Sequence, residues 1–138
     1  GLNGRLDSIQ AAVLLEKLSI FDDELEMRNE VNSYYRKHLN NAQHHPDKYE
    51  SAHALFSITL GSESKRDKLI NRLNHAKIPN VIYYKFPIHL MEGFRYLGYK
   101  KKDLPISETL STNIVSLPMH PYLKFKDIDF ILIKSYSL

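Results

Sequence analysis

The sequence contains no cysteine. That excludes a disulfide framework, a thiolate nucleophile and a zinc-finger site together, and it is compatible with a cytoplasmic location. No run of about 18 apolar residues is present, so no membrane-spanning helix is expected. Glycine and proline are sparse, at 5 and 6 residues, which excludes a collagen-like chain. With 43% hydrophobic and 25% charged residues in 138, the composition is that of one folded domain with a modest core. Charge of one sign is also scarce. Lys and Arg number 19 against 16 Asp and Glu, a net charge of +3. The basic residues are scattered and lack aromatic interleaving, which argues against nucleic acid as a partner. No signal peptide opens the chain, and its first residue is Gly1, so its start is expected to be a cut or processed end.

What is present is periodicity. Asp7 can cap a helix, with Gln10 placed to reach back. From about Ser8 to Leu39 no Gly or Pro occurs, and Leu14, Leu18, Phe21 and Leu25 recur at helical spacing. A strand is expected over residues 52–60, closed by Gly61. Ser62 or Ser64 then caps a helix to about Lys77. Pro79-Asn80 turns the chain into a short strand over 81–84. A loop over 85–102, with one helical turn near 91–96, leads to a helix begun by Pro105. A strand over 114–117 and an amphipathic helix over 126–136 complete the chain. The order predicts an α+β fold: a small, largely antiparallel sheet with helices on one face, preceded by a long helix.

A helix over 8–39 would be roughly 45–50 Å long, whereas a domain of this size is about 37 Å across. Its first part, Ile9 to Leu15, is apolar on most sides. Such a helix either overhangs and needs a cover from another domain or subunit, or folds back in two pieces.

Three segments carry a resemblance. The first is Gly1-Leu2-Asn3-Gly4-Arg5-Leu6-Asp7-Ser8-Ile9-Gln10-Ala11-Ala12. The second is Tyr83-Tyr84-Lys85-Phe86-Pro87-Ile88-His89-Leu90. The third is Asp103-Leu104-Pro105-Ile106-Ser107-Glu108, followed by Ser116-Leu117-Pro118-Met119-His120-Pro121-Tyr122-Leu123. In this order they resemble the C-terminal part of the DegT/DnrJ/EryC1/StrS family, which are pyridoxal-phosphate-dependent aminotransferases of nucleotide-linked keto-sugars.

The resemblance implies the C-terminal domain of an aspartate-aminotransferase-like (fold type I) enzyme. Residues 1–45 would be the loop and bridging helix, and residues 46–138 the small domain. The large domain and its Schiff-base Lys would lie upstream, so this chain alone should be inactive. It further implies a homodimer with active sites at the interface, glutamate as amino donor, and a role in bacterial surface polysaccharide or lipopolysaccharide synthesis. By the same resemblance Asn3 reaches the cofactor phosphate, and Arg5, Tyr83, Tyr84 and His89 face the sugar nucleotide. Their chemistry suits these roles: an amide or guanidinium donates to phosphate, and phenol and imidazole hydrogen-bond sugar groups.

Each residue also has a plainer reading. Asn3 suits a turn beside Gly4, Arg5 can pair with Asp7 or Glu16, and the tyrosines suit a half-buried strand. Tyr83 stands where many relatives have His. A non-catalytic binding or interaction domain of similar fold is the competing function.

Overall fold

The computed structural model describes residues 4–43 and 48–136. In chain order the elements are α1 (Ser8–Ser19), α2 (Phe21–His38), β1 (Phe56–Thr59), α3 (Glu63–His75), α4 (Pro105–Asn113), β2 (Ile114–Leu117) and α5 (Phe125–Tyr136). Two short 3₁₀ helices, Ile88–Leu90 and Glu92–Leu97, lie between α3 and α4.

β1 and β2 pair antiparallel, with Phe56 opposite Leu117, Ser57 opposite Ser116, Ile58 opposite Val115 and Thr59 opposite Ile114. Opposed residues point to the same face of a sheet, and successive residues alternate. Phe56, Ile58, Val115 and Leu117 therefore share one face, and all four are buried. They meet Val31 and Tyr35 of α2, Leu69 and Leu73 of α3, and Ile128, Ile131 and Leu132 of α5 in one core. The Tyr35 ring stacks on Phe56 at 4.5 Å, and its hydroxyl donates to the Pro118 carbonyl at 3.1 Å. That contact seats the segment after β2 beneath α2. Leu117 is in the core and Met119 packs against it. Single antiparallel bridges, Ala42 to Ile58 and Val81 to Ser116, widen the sheet at both edges.

The α+β architecture is as the sequence predicts, with α2, α3 and α5 on one face. The expected caps also form: Asp7 accepts from the Ile9 N–H at 2.8 Å, and Ser62 accepts from the Lys65 N–H at 3.3 Å. Pro105 opens α4. The strands are shorter than predicted. Ala52 to Leu55 leave the ladder, where His53 adopts φ +44° and its N–H turns to Ser51 Oγ. The expected strand over 81–84 is reduced to the bridge at Val81.

The long helix is interrupted at Ile20, which has φ −113° and ψ 10°. The cause lies in the flanking residues. Ser19 Oγ donates back to the Glu16 carbonyl at 2.7 Å, a bond that competes with the helical ladder. Asp22, Asp23 and Glu24 then crowd the first turn of α2, where negative charge suits the helix dipole. Glu24 accepts from both Lys17 on α1 and the Tyr122 hydroxyl, so the break is bridged by side chains. α1 does not fold back: it has no buried residue, and Ile9 is 77% exposed.

Two outcomes follow. Leu69→Ala should cost about 2–5 kcal/mol in urea denaturation, because it opens a cavity in a closed core. Leu15→Lys, on the uncovered helix, should change the stability of the 138-residue chain by less than about 0.5 kcal/mol. A further outcome concerns Glu24. Hydrogen bonds from Lys17 and then Tyr122 hold its carboxyl below the ordinary 4.5. A depressed carboxyl contributes stability in full above pH 4.5 and loses it as pH falls through the lower folded value. Plotting the urea midpoint against pH should show that acid limb, and Glu24→Gln should flatten it.

Candidate functional site

The second face of the sheet is built differently. Alternation along β1 and β2 places Ser57, Thr59, Ile114 and Ser116 there, and the Ser57 and Ser116 hydroxyls hydrogen-bond at 2.8 Å. Over this face the segment after Val81 passes as a roof, and α4 forms a wall. Between them is a groove of about 340 Å³, whose lining includes Ser57 and Ser116 from the sheet, Tyr83, Tyr84 and Ile88 from the roof, and Ser111 from α4. Among the described residues that line it there is no Lys, Arg, His, Asp or Glu. The groove therefore offers aromatic surface and neutral hydroxyls. These suit an uncharged ring bearing hydroxyl or amide groups.

Of the residues singled out in the sequence, Tyr83 and Tyr84 are brought together at this groove, 53% and 68% exposed. They are not half-buried strand residues. Arg5 is exposed ahead of α1 and does not belong to the groove lining. Asn3 lies outside the described residues. His89 is 6% exposed, so its ring is packed behind the roof and not open to the groove. Its Nε2 lies 3.2 Å from Glu108 Oε1, and its ring meets Tyr99 edge-on at 6.1 Å.

Glu108 is the residue that sequence reasoning missed. It stands in the first turn of α4, where its sequence position speaks only of a helix start. Its Oε1 accepts from the Lys102 N–H at 2.7 Å as well as from His89. Burial works against ionisation of this carboxyl. The Lys102 N–H, the His89 ring and the Leu104 backbone together outweigh it and hold the group below its ordinary value. Lys102 itself has φ +81°, a left-handed conformation that side-chain-bearing residues adopt at a cost. No spacing rule in the sequence joins residues 89, 102 and 108, because the link exists only after the loop closes.

The fold agrees with what comparison finds. The chain matches the DegT/DnrJ/EryC1/StrS aminotransferase family over residues 1–134. It belongs to that family. It is 31% identical over 135 residues to the UDP-2-acetamido-2-deoxy-3-oxo-D-glucuronate aminotransferase of Pseudomonas aeruginosa, covering 95% of this chain and 36% of that protein. Among solved structures it is similar to a DegT DnrJ EryC1 StrS aminotransferase from Brucella abortus, with TM-score 0.84 and 42% identity, covering 98% of this chain and 36% of that one. The PLP form of a Streptococcus pneumoniae protein named as a sugar aminotransferase shares the fold, with TM-score 0.85 at 22% identity, covering 96% of this chain and 36% of that one. The chain thus spans about a third of the length of the curated relatives it matches.

Pyridoxal phosphate requires an amine for its aldehyde and donors for its phosphate. The groove lining has hydroxyl and amide donors but no Lys. Without an amine for the aldehyde, its residues do not fit the cofactor.

The Lys102 geometry yields a direct test. Lys102→Gly keeps the N–H that Glu108 accepts and removes the left-handed penalty. It should raise stability by about 0.5–1 kcal/mol in thermal or urea unfolding.

Proposed function

We propose that this chain is the C-terminal, sugar-facing part of a pyridoxal-phosphate-dependent aminotransferase. The enzyme transfers an amino group from glutamate to a nucleotide-linked keto-sugar, in the synthesis of bacterial surface polysaccharide or lipopolysaccharide. In this reading residues 1–45 are the bridge and residues 46–138 the small domain of a fold type I enzyme in the cytoplasm. The cofactor is held by a domain preceding Gly1, and two copies pair with their active sites at the interface.

The observation that carries the reading is the family match over residues 1–134, which takes in the Arg5 loop, α1 and the groove together. The relatives' names support it: they include transaminases of dTDP-linked and UDP-linked sugars. The uncovered apolar side of α1 supports it as well, since Val13, Leu14, Leu15 and Leu18 are all exposed in the chain alone and such a surface is stable when covered. When bound, the cofactor supplies the electron sink for amino transfer. This chain's residues bind and orient. Tyr83 and Tyr84 present phenols and ring faces to the sugar. Arg5 meets an anionic group of the sugar nucleotide with paired donors. Asn3 donates to the cofactor phosphate. His89 serves from behind the roof.

The test uses protein from the complete reading frame. With pyridoxal phosphate it should show a visible Schiff-base band that borohydride abolishes, trapping the cofactor on a Lys upstream of Gly1. Arg5→Ala and Tyr84→Phe should each raise KM for the nucleotide sugar about tenfold, the worth of one charge-assisted or buried hydrogen bond. No band would sink the reading in favour of a free-standing binding domain. An intact band with both variants unaffected would sink the residue assignments alone.

A further inference from the structure

The 89–102 loop is fastened at both ends to one oxygen. Glu108 Oε1 receives the Lys102 N–H at 2.7 Å and His89 Nε2 at 3.2 Å. An ionised carboxylate only accepts, so this geometry puts the imidazole proton on Nε2. The fastening is shielded: the His89 and Glu108 side chains are 5% and 16% exposed. Loops of this length whose ends meet are compact surface units. This one turns through Gly98 at φ +78° and Lys102 at φ +81°, and it carries Tyr96 and Tyr99 on its surface.

The position of the fastening matters more than its strength. His89 directly follows Pro87 and Ile88, which line the groove from the roof. Glu108 directly follows Ser107 and precedes Leu110 and Ser111, which line it from the α4 wall. The His89–Glu108 contact therefore ties roof to wall. A left-handed Lys102 persists only where its surroundings over-determine it, and the same carboxylate holds its N–H.

We propose that Glu108 is a positioning residue for substrate binding: by pinning His89 and Lys102 it fixes the aromatic roof, and with it Tyr83 and Tyr84, over the groove. The substrate half of this inference rests on the proposed function; the loop half rests on the structure alone.

The experiment compares parent, Glu108→Ala and Glu108→Gln in the complete holoenzyme. Two readouts are taken: steady-state kinetics for each substrate, and the rate of tryptic nicking at Arg95 and Lys100 to Lys102. In Glu108→Ala nicking should accelerate about fivefold, and KM for the nucleotide sugar should rise about tenfold, as for loss of a charge-assisted hydrogen bond. The amino-donor KM, kcat and the Schiff-base band should stay within about twofold. Glu108→Gln keeps an accepting oxygen and should stay near the parent in both readouts. Nicking at the parent rate overturns the inference, and so does faster nicking with an unchanged sugar KM. A joint loss of kcat and both KM values marks general damage and overturns it too. Should Glu108→Ala fail to fold, His89→Phe keeps the volume and removes the donor; it should raise the sugar KM about threefold, and an unchanged KM overturns the inference. A parent without a Schiff-base band refutes the proposed function before any variant is compared. That result takes the substrate half with it, while the nicking comparison still judges the loop half.

Discussion

The antiparallel register of β1 and β2 is the constraint on which the rest of the structure depends. Because Phe56 faces Leu117 and Ile58 faces Val115, four large apolar side chains fall on one side, where α2, α3 and α5 close over them. The same pairing puts Ser57 against Ser116 on the other side. A slip of one strand by one residue would turn that strand's side chains over. Slipping β2 would drive Ser116 into the core without its partner Ser57 and expose Val115 and Leu117 in the groove. Burial of a hydroxyl without a hydrogen bond is costly, so the apolar core and the neutral groove are held in place by the same pairing.

Much of this could be read in the sequence, for physical reasons that differ by element. Asp7, Ser62 and Pro105 act through local backbone chemistry, so the helix starts they mark are found where the residues stand. The strand over 114–117 is bounded by the end of α4 and by Pro118, and it also forms as expected. The strand over 52–60 shortens because His53 leaves the extended region, which no propensity of its neighbours encodes. The break at Ile20 left a trace: Ser19 can back-bond, and three acidic residues follow at once, a pattern that ends one helix and begins another. The apolar periodicity across residues 14–25 masks it.

The site was legible in its chemistry and not in its connections. Tyr83 and Tyr84 lie beside each other in sequence and stay together at the groove. His89 looked like a third member of that group because it stands on a loop with a polar ring. Its burial follows from a partner that lies on α4, and long-range pairing of that kind cannot be read from spacing. What the sequence presents as one motif is divided in the structure into a surface part and a supporting part.

The distribution of charge gives the division its sense. Two carboxylates serve as fasteners: Glu24 holds Lys17 and Tyr122 across the helix break, and Glu108 holds His89 and Lys102 beside the groove. The groove lining itself has none. An ionised group there would lose water whenever the groove filled, and it would require a partner on the ligand to repay that loss. A neutral lining carries no such demand. A formal counter-charge for a bound molecule would have to come from residues outside the lining. In the proposed function that charge falls to the exposed Arg5, which, set ahead of an α1 with no buried residue in this chain, would act together with whatever surface covers that helix.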